Sequence, residues 1–231
     1  MKQLTLPLFQ PTQLNFENFF VGRQNLELTQ NLLSWSLAQK PKVFYLWGGK
    51  SSGKTHLLNA TLNRCSSPAI YLPLKEMKNF GQRLFDNLDG VEIIALDDID
   101  VISGDKEFET SLFYLLNKVI LSKRKIIVTS QKYPSRQGFE LSDLVSRLCS
   151  GLLYKVYYLA NEEMRGAIKF LFSSRGMNIS SGQLDYIFKY YPRDMENLII
   201  LLDKLDEVSL SKGKPISIPM IKKILLELNG S

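Results

Sequence analysis

One histidine stands in the whole chain, and its two cysteines, Cys65 and Cys149, lie far apart with no CxxC pair. A lone His56 excludes Ser-His and Cys-His nucleophile arrangements, and with them most metal centres, which draw on clusters of His and Cys. Two unpaired thiols supply neither a disulfide framework nor a zinc knuckle, and a reducing cytoplasm suits them. No apolar run approaches the roughly 20 residues that cross a bilayer, and there is no internal repeat or low-complexity tract. The opening MKQLTLPLFQP is interrupted by Thr5 and Pro7 and is followed by no small-residue cleavage site, so it does not read as a signal peptide. What chemistry the chain performs must therefore rest on carboxylates, lysines, arginines or a bound cation.

What is present is ordinary for a globular protein: 45% hydrophobic and 23% charged residues in a chain of 231, enough for one large domain or a core domain with a smaller companion. The net charge of +6 falls almost wholly before residue 161, and such a dispersed excess reads first as a solvated basic surface, with a mild attraction for phosphate or DNA as the other reading. Five short runs rich in β-branched and aromatic residues read as strands, at 42–47, 69–74, 92–97, 125–130 and 153–159. Several are apolar on both faces, as parallel strands covered by helices should be. Helical segments near 54–64, 75–88, 106–122 and 140–148 alternate with them, which predicts an α/β sandwich on a parallel sheet. After Leu159 only helices are expected, at 162–174, 181–190, 194–210 and 218–228, with Leu198, Leu202 and Leu205 on one face and breaks at Gly176, Pro192 and 211–215.

The strongest motif follows the first strand. GGKSSGKT fits G-x-x-x-x-G-K-[ST], with Gly48, Gly49, Lys50, Ser51, Ser52, Gly53, Lys54, Thr55 and the following His56 placed to cradle a nucleotide. Curled backbone N–H groups and a helix N-terminus attract phosphate, Lys54 reaches the β and γ phosphates, and Thr55 supplies a hydroxyl for Mg²⁺. A phosphate loop needs an acidic partner. IIALDDID ends the third strand in Asp97, a second Mg²⁺ ligand through water, and Asp98, placed to polarise an attacking water, while Asp100 reads as a cap. Thr129 and Ser130 end the fourth strand and are candidates to orient that water. Arg147 in SDLVSRLCSGL and Arg193 in PRDMENL are each, singly, more often solvated helix-end residues.

Taken in order, the phosphate loop, DDID, TSQKYP, SRL and PRDMENL resemble the AAA+ proteins related to the bacterial replication initiator DnaA, over residues 15 to the end. The resemblance implies an AAA+ fold with five parallel strands in the order 5-1-4-3-2 and a small all-helical lid, divided as 1–14, 15–160 and 161–231. It places Val21 and Gly22 of NFENFFVGRQN at the adenine, makes Arg193 the lid arginine that senses the chain's own ADP or ATP, and makes Arg147 an arginine finger acting in trans. The heptapeptide QLTLPLF resembles the segment by which bacterial replication proteins hold the DNA polymerase III β sliding clamp. Pro7 pre-sets an extended backbone, Leu6, Leu8 and Phe9 offer apolar anchors worth about 1.5–3 kcal/mol for each fully buried one, Gln3 offers an amide, and Leu4 belongs to the same clamp-binding stretch. After ordering costs an affinity of about micromolar is expected. An edge strand tucked under the domain is the other reading of this stretch.

Within that family the combination resembles members that ride on the clamp and stimulate DnaA to hydrolyse ATP. No helix-turn-helix domain follows Ile218, so DNA contact is expected to be indirect or weak. A homodimer or higher oligomer, no membrane association and a cytoplasmic location are implied. Asp143, where DnaA has a further arginine, Gln131, where an aspartate is usual, and Cys149 and Ser150 after the finger depart from the initiator's pattern. The alternatives are an independent AAA+ ATPase of helicase-loader type and, further off, a small-molecule kinase of the same loop class.

Overall fold

The computed structural model describes residues 14–37, 42–88 and 90–229. The QLTLPLF heptapeptide, with Gln3, Leu4, Leu6, Pro7, Leu8 and Phe9, lies outside them. Contacts divide the chain into two compact units, one ending at Tyr157 and one beginning at Tyr158.

The first unit is built on a sheet of five parallel strands: β1 (Val43–Trp47), β2 (Ala69–Pro73), β3 (Ile93–Asp97), β4 (Lys125–Ser130) and β5 (Leu152–Lys155), ordered β2-β3-β4-β1-β5. This is the expected order read from the other edge. Every residue of β3 and β4 is buried, because the three inner strands carry helices on both faces. Alternation along each strand sorts the side chains into two cores. Tyr45, Ile94, Leu96, Ile126 and Val128 pack with α4 (Lys106–Leu121) and α5 (Ser142–Cys149), whereas Phe44, Leu46, Ala95 and Ile127 pack with α1 (Leu26–Leu37) and α2 (Lys54–Arg64).

Three local expectations change. Helix α1 is absent from the sequence reading, although Leu28, Leu32 and Trp35 repeat at helical spacing and are buried against β1. The helix expected over 75–88 is only one turn, α3 (Leu74–Met77), continued by 3₁₀ turns over Lys78–Phe85 that Gly81 breaks with φ 65° and ψ −166°. Strand β5 stops at Lys155, four residues earlier than read. Its continuation is taken over by a side chain: Asn25 donates through Nδ2 to the Tyr157 carbonyl and accepts the Tyr157 N–H through Oδ1, both at 2.9 Å. A carboxamide thus stands in for the neighbouring strand that the edge lacks.

The second unit consists of α6 (Asn161–Ser174), α7 (Ser181–Tyr190), α8 (Met195–Lys212) and α9 (Ile218–Asn229). They close on Phe172, Ile187, Leu202, Leu205, Ile221 and neighbouring apolar residues. Their ends follow local chemistry. Ser180 and Gln183 form a capping box for α7, Asp194 caps α8, and Gly213 ends α8 in the left-handed region at φ 58°. Among the described residues no helix is long and apolar enough to cross a membrane.

Candidate nucleotide site

Parallel pairing brings the C-terminal ends of the strands to one edge, where an open α/β sheet places its ligands. Trp47 lies in register with Ser130, and Pro73 with Asp97. The chain leaves β1 at Gly48 and re-enters helix at Lys54. Gly48 admits no side chain, since a Cβ there would sit 2.5 Å from the Val156 carbonyl oxygen. Gly53 turns the loop into α2 with φ 97°, a conformation that favours glycine. Lys54 is 6% exposed, and its ammonium donates to the Gly48 and Gly49 carbonyls at 2.9 and 2.7 Å. Burial lowers its pKa, opposed by the carboxylates of Asp98, Asp97 and Asp100. Lys50 and Ser51 are exposed, whereas Ser52 is buried and its hydroxyl has no partner among the described residues.

Asp97 is the hub of the site. It is 4% exposed at the end of β3, and hydroxyls from three elements converge on its carboxylate. Thr55 of α2 donates to Oδ2 at 2.8 Å, Tyr71 of β2 donates to Oδ2 at 2.9 Å, and Thr129 of β4 donates to Oδ1. The Thr129 hydroxyl also accepts the Asp98 N–H at 2.8 Å. It is therefore committed to holding the acidic pair, a different task from the water orientation expected of it. Ser130 donates to Gln137 Oε1 at 2.9 Å and is fully buried, so its hydroxyl braces the loop after β4.

Asp98 sits in the left-handed region, φ 57° and ψ 52°, where the chain turns out of the sheet. Burial, followed by the charges of Asp97 and Asp100, raises its pKa against the pull of Lys54 and Lys75. Asp100 does more than cap a helix: its carboxylate accepts the backbone and side-chain N–H groups of Gln131.

The segment before α1 lies along α2. His56 Nε2 donates to the Asn15 carbonyl at 2.9 Å, Asn63 donates to the Leu14 carbonyl at 2.8 Å, and the Phe19 ring packs on His56 with centroids 5.1 Å apart. His56 is thus spent on anchoring this segment. Val21 is half-buried and Gly22 buried between the segment and the turn into α1. Arg147 lies in the last turn of α5, exposed, and its guanidinium makes no hydrogen bond or ion pair among the described residues. In the second unit, Arg193 donates through Nε to the Phe188 carbonyl at 3.0 Å. With Arg165, Asp185, Phe188 and Lys189 it lines an open groove of about 410 Å³.

Sequence reasoning missed Tyr71 and Glu109. Glu109 is fully buried and spans two loops, accepting the N–H groups of Gly104 and Leu141 at 2.8 Å each. Its signal was a carboxylate on the apolar face of α4, in line with Leu112 and Leu116. Tyr71 left no local signal, because its partner is on another strand.

A parallel sheet in the order β2-β3-β4-β1-β5, a phosphate-type loop leaving central β1, an acidic pair ending β3 and a separate four-helix unit define a P-loop protein of the AAA+ class. Residues 161–225 match the family described as Hda, lid domain, and residues 69–155 match the bacterial DnaA ATPase domain. An uncharacterized protein of Haemophilus influenzae is 36% identical over 228 residues, covering 97% of this chain and 98% of its own. Among solved structures, domain III of the Thermotoga maritima replication initiation protein DnaA gives a TM-score of 0.78 at 21% identity, covering 94% of this chain and 96% of that one. AMPPCP-bound DnaA from Aquifex aeolicus gives 0.70 at 21% identity, over 84% of this chain and 65% of that one. At such identities the likeness to these structures is one of fold. The chain belongs to the Hda/DnaA-related branch of the AAA+ proteins.

Proposed function

We propose that this chain is a nucleotide-binding regulator of replication initiation. It docks on the DNA-loaded DNA polymerase III β clamp through Gln3–Phe9 and hastens ATP hydrolysis by DnaA with Arg147. The observation that carries this reading is the state of Arg147: exposed at the end of a helix, with a guanidinium spent on no neighbour among the described residues. A finger of this kind, placed beside the phosphates of another subunit, is worth about 10³–10⁵ in rate. A homodimer or higher oligomer fits an arginine that works in trans.

The chain's own ligand is ADP or ATP. Loop amides from Gly48 to Gly53 and the Lys54 ammonium suit the phosphates, and Val21 and Gly22 suit the adenine. The donor set fits Mg²⁺: Thr55 Oγ1 and Asp97 Oδ2 are hard oxygens 2.8 Å apart, and a cation that arrives with phosphates needs few protein ligands. Bound there, Mg²⁺ supplies charge neutralisation at the phosphate oxygens. Asp98, next to Asp97 where the chain turns out of the sheet, is the carboxylate placed to polarise an attacking water.

The test mixes the chain with clamp-loaded DNA and ATP-bound DnaA and follows phosphate release. Acceleration is expected, with its loss in Arg147→Ala at unchanged ADP affinity, and its loss together with clamp capture on deleting residues 2–9. Release no faster than with DnaA alone refutes the proposal. A second reading, an ATPase in its own right, draws on the assembled Lys54, Thr55 and Asp97. Turnover of free ATP by the isolated chain, abolished in Lys54→Ala, would favour it.

A further inference from the structure

We propose that Tyr71 is a positioning residue for the Mg²⁺-directed carboxylate of Asp97, an inference that rests on the nucleotide reading above. Tyr71 lies in β2 in register with Ala95 of β3, two residues before Asp97, so both side chains stand on the sheet face covered by α2. Its ring packs into the core on that side and fixes the phenol, whose hydroxyl donates to Asp97 Oδ2 at 2.9 Å.

The three hydroxyls on Asp97 are not equivalent. Thr129 divides its oxygen between Asp97 and the Asp98 N–H, which ties the acidic pair to β4. Thr55 shares Oδ2 with Tyr71, yet its own oxygen is the atom asked to ligate the cation. Tyr71 alone has no second duty toward the ligand. It holds Oδ2 from the β2 side while Thr55 is engaged, and so keeps the carboxylate in one orientation through binding and release. Asn59, buried one helical turn after Thr55, donates to the Thr55 carbonyl at 2.9 Å and steadies the other side of the same contact. Outer groups that orient a metal-directed ligand typically account for 10–100-fold in metal affinity. Because Asp97 is expected to act through water, the lower end applies.

The experiment uses the full chain and a fluorescent ADP. Affinity is measured with EDTA and with Mg²⁺, and the Mg²⁺ midpoint is titrated at fixed nucleotide. In Tyr71→Phe the EDTA affinity should match that of the unaltered chain, since the loop amides and Lys54 are untouched, while the Mg²⁺ midpoint should rise about 10-fold. A residue that only stabilises the fold would move both readings or neither. An unchanged Mg²⁺ midpoint in Tyr71→Phe overturns the inference and leaves the nucleotide reading standing. Absence of any ADP binding by the unaltered chain overturns both. Should the phenylalanine variant fail to fold, Tyr71→Met fills the site with a flexible apolar chain and gives the same comparison.

Discussion

Glu109 offers the most direct test of how the finger-bearing helix is held. Each of its carboxylate oxygens accepts one backbone N–H, from Gly104 on one side and from Leu141, the residue just ahead of α5, on the other. Helix α5 receives no side-chain cap at Leu141, so this contact holds the N–H at its entry while Leu144 and Leu148 hold the helix in the core. In Glu109→Gln one oxygen survives and the amide NH₂ faces an N–H, leaving a buried donor unpaired. That loss is worth about 1–3 kcal/mol, and donor facing donor places the result toward the upper end. In Glu109→Ala both donors are orphaned and a cavity is added, for about 3–5 kcal/mol. Urea unfolding followed by far-UV circular dichroism reads the stability. Amide exchange over 141–149 reads whether α5 loosens, and a partial loss of DnaA stimulation is expected where the variant is still folded. A Glu109→Gln variant within about 0.5 kcal/mol of the parent, with unaltered exchange in α5, would refute the reasoning.

Two further outcomes follow from the same structure. Burial lowers the pKa of His56 while its bond to the Asn15 carbonyl pulls the other way. The imidazole is therefore neutral in the fold at a pH where the unfolded chain, titrating near 6.5, already takes a proton. Its contribution is present above about pH 6.5 and is lost as pH falls through the lowered value. As the chain's one histidine it gives a single imidazole signal by NMR, and a midpoint at or above 6.5 would contradict the burial argument. Asp194 accepts the N–H of Asn197 at 3.0 Å and its side-chain amide at 2.8 Å, and these donors hold the carboxyl below its usual range. Asp194→Ala should cost about 1 kcal/mol in the stability of the helical unit. The native cap is at full strength above about pH 4 and fades as pH falls through the lowered value, so parent and variant melting temperatures should converge in acid.

Much of this architecture was legible because the informative patterns are local. The inner strands declare themselves by being apolar on both faces, and the loop from Gly48 to Thr55 carries its own spacing. Asp97 is legible as an acid at a strand end. What escaped depends on distant partners or on backbone choices with several local answers. Gly81 reads as tolerable within a helix until its φ of 65° shows the break. The early end of β5 is decided by Asn25, 132 residues away. Thr129 and Ser130 look equally available in sequence, yet one is bound to Asp97 and the other to Gln137. The three-hydroxyl grip on Asp97 draws on α2, β2 and β4 together, and no periodicity along one segment reports such a convergence.

The strand order also sets a timetable for the growing polypeptide. β1 leaves the ribosome before the other four strands of this sheet, but its two flanking partners are β4 and β5. The phosphate loop thus hangs from a strand with no neighbour until residue 130 has been made, and Asn25 waits still longer, for Tyr157. Asn25 and β1 are made early yet are secured late, so a nascent chain halted before Tyr157 holds the complete loop sequence without the edge contact that closes its mount.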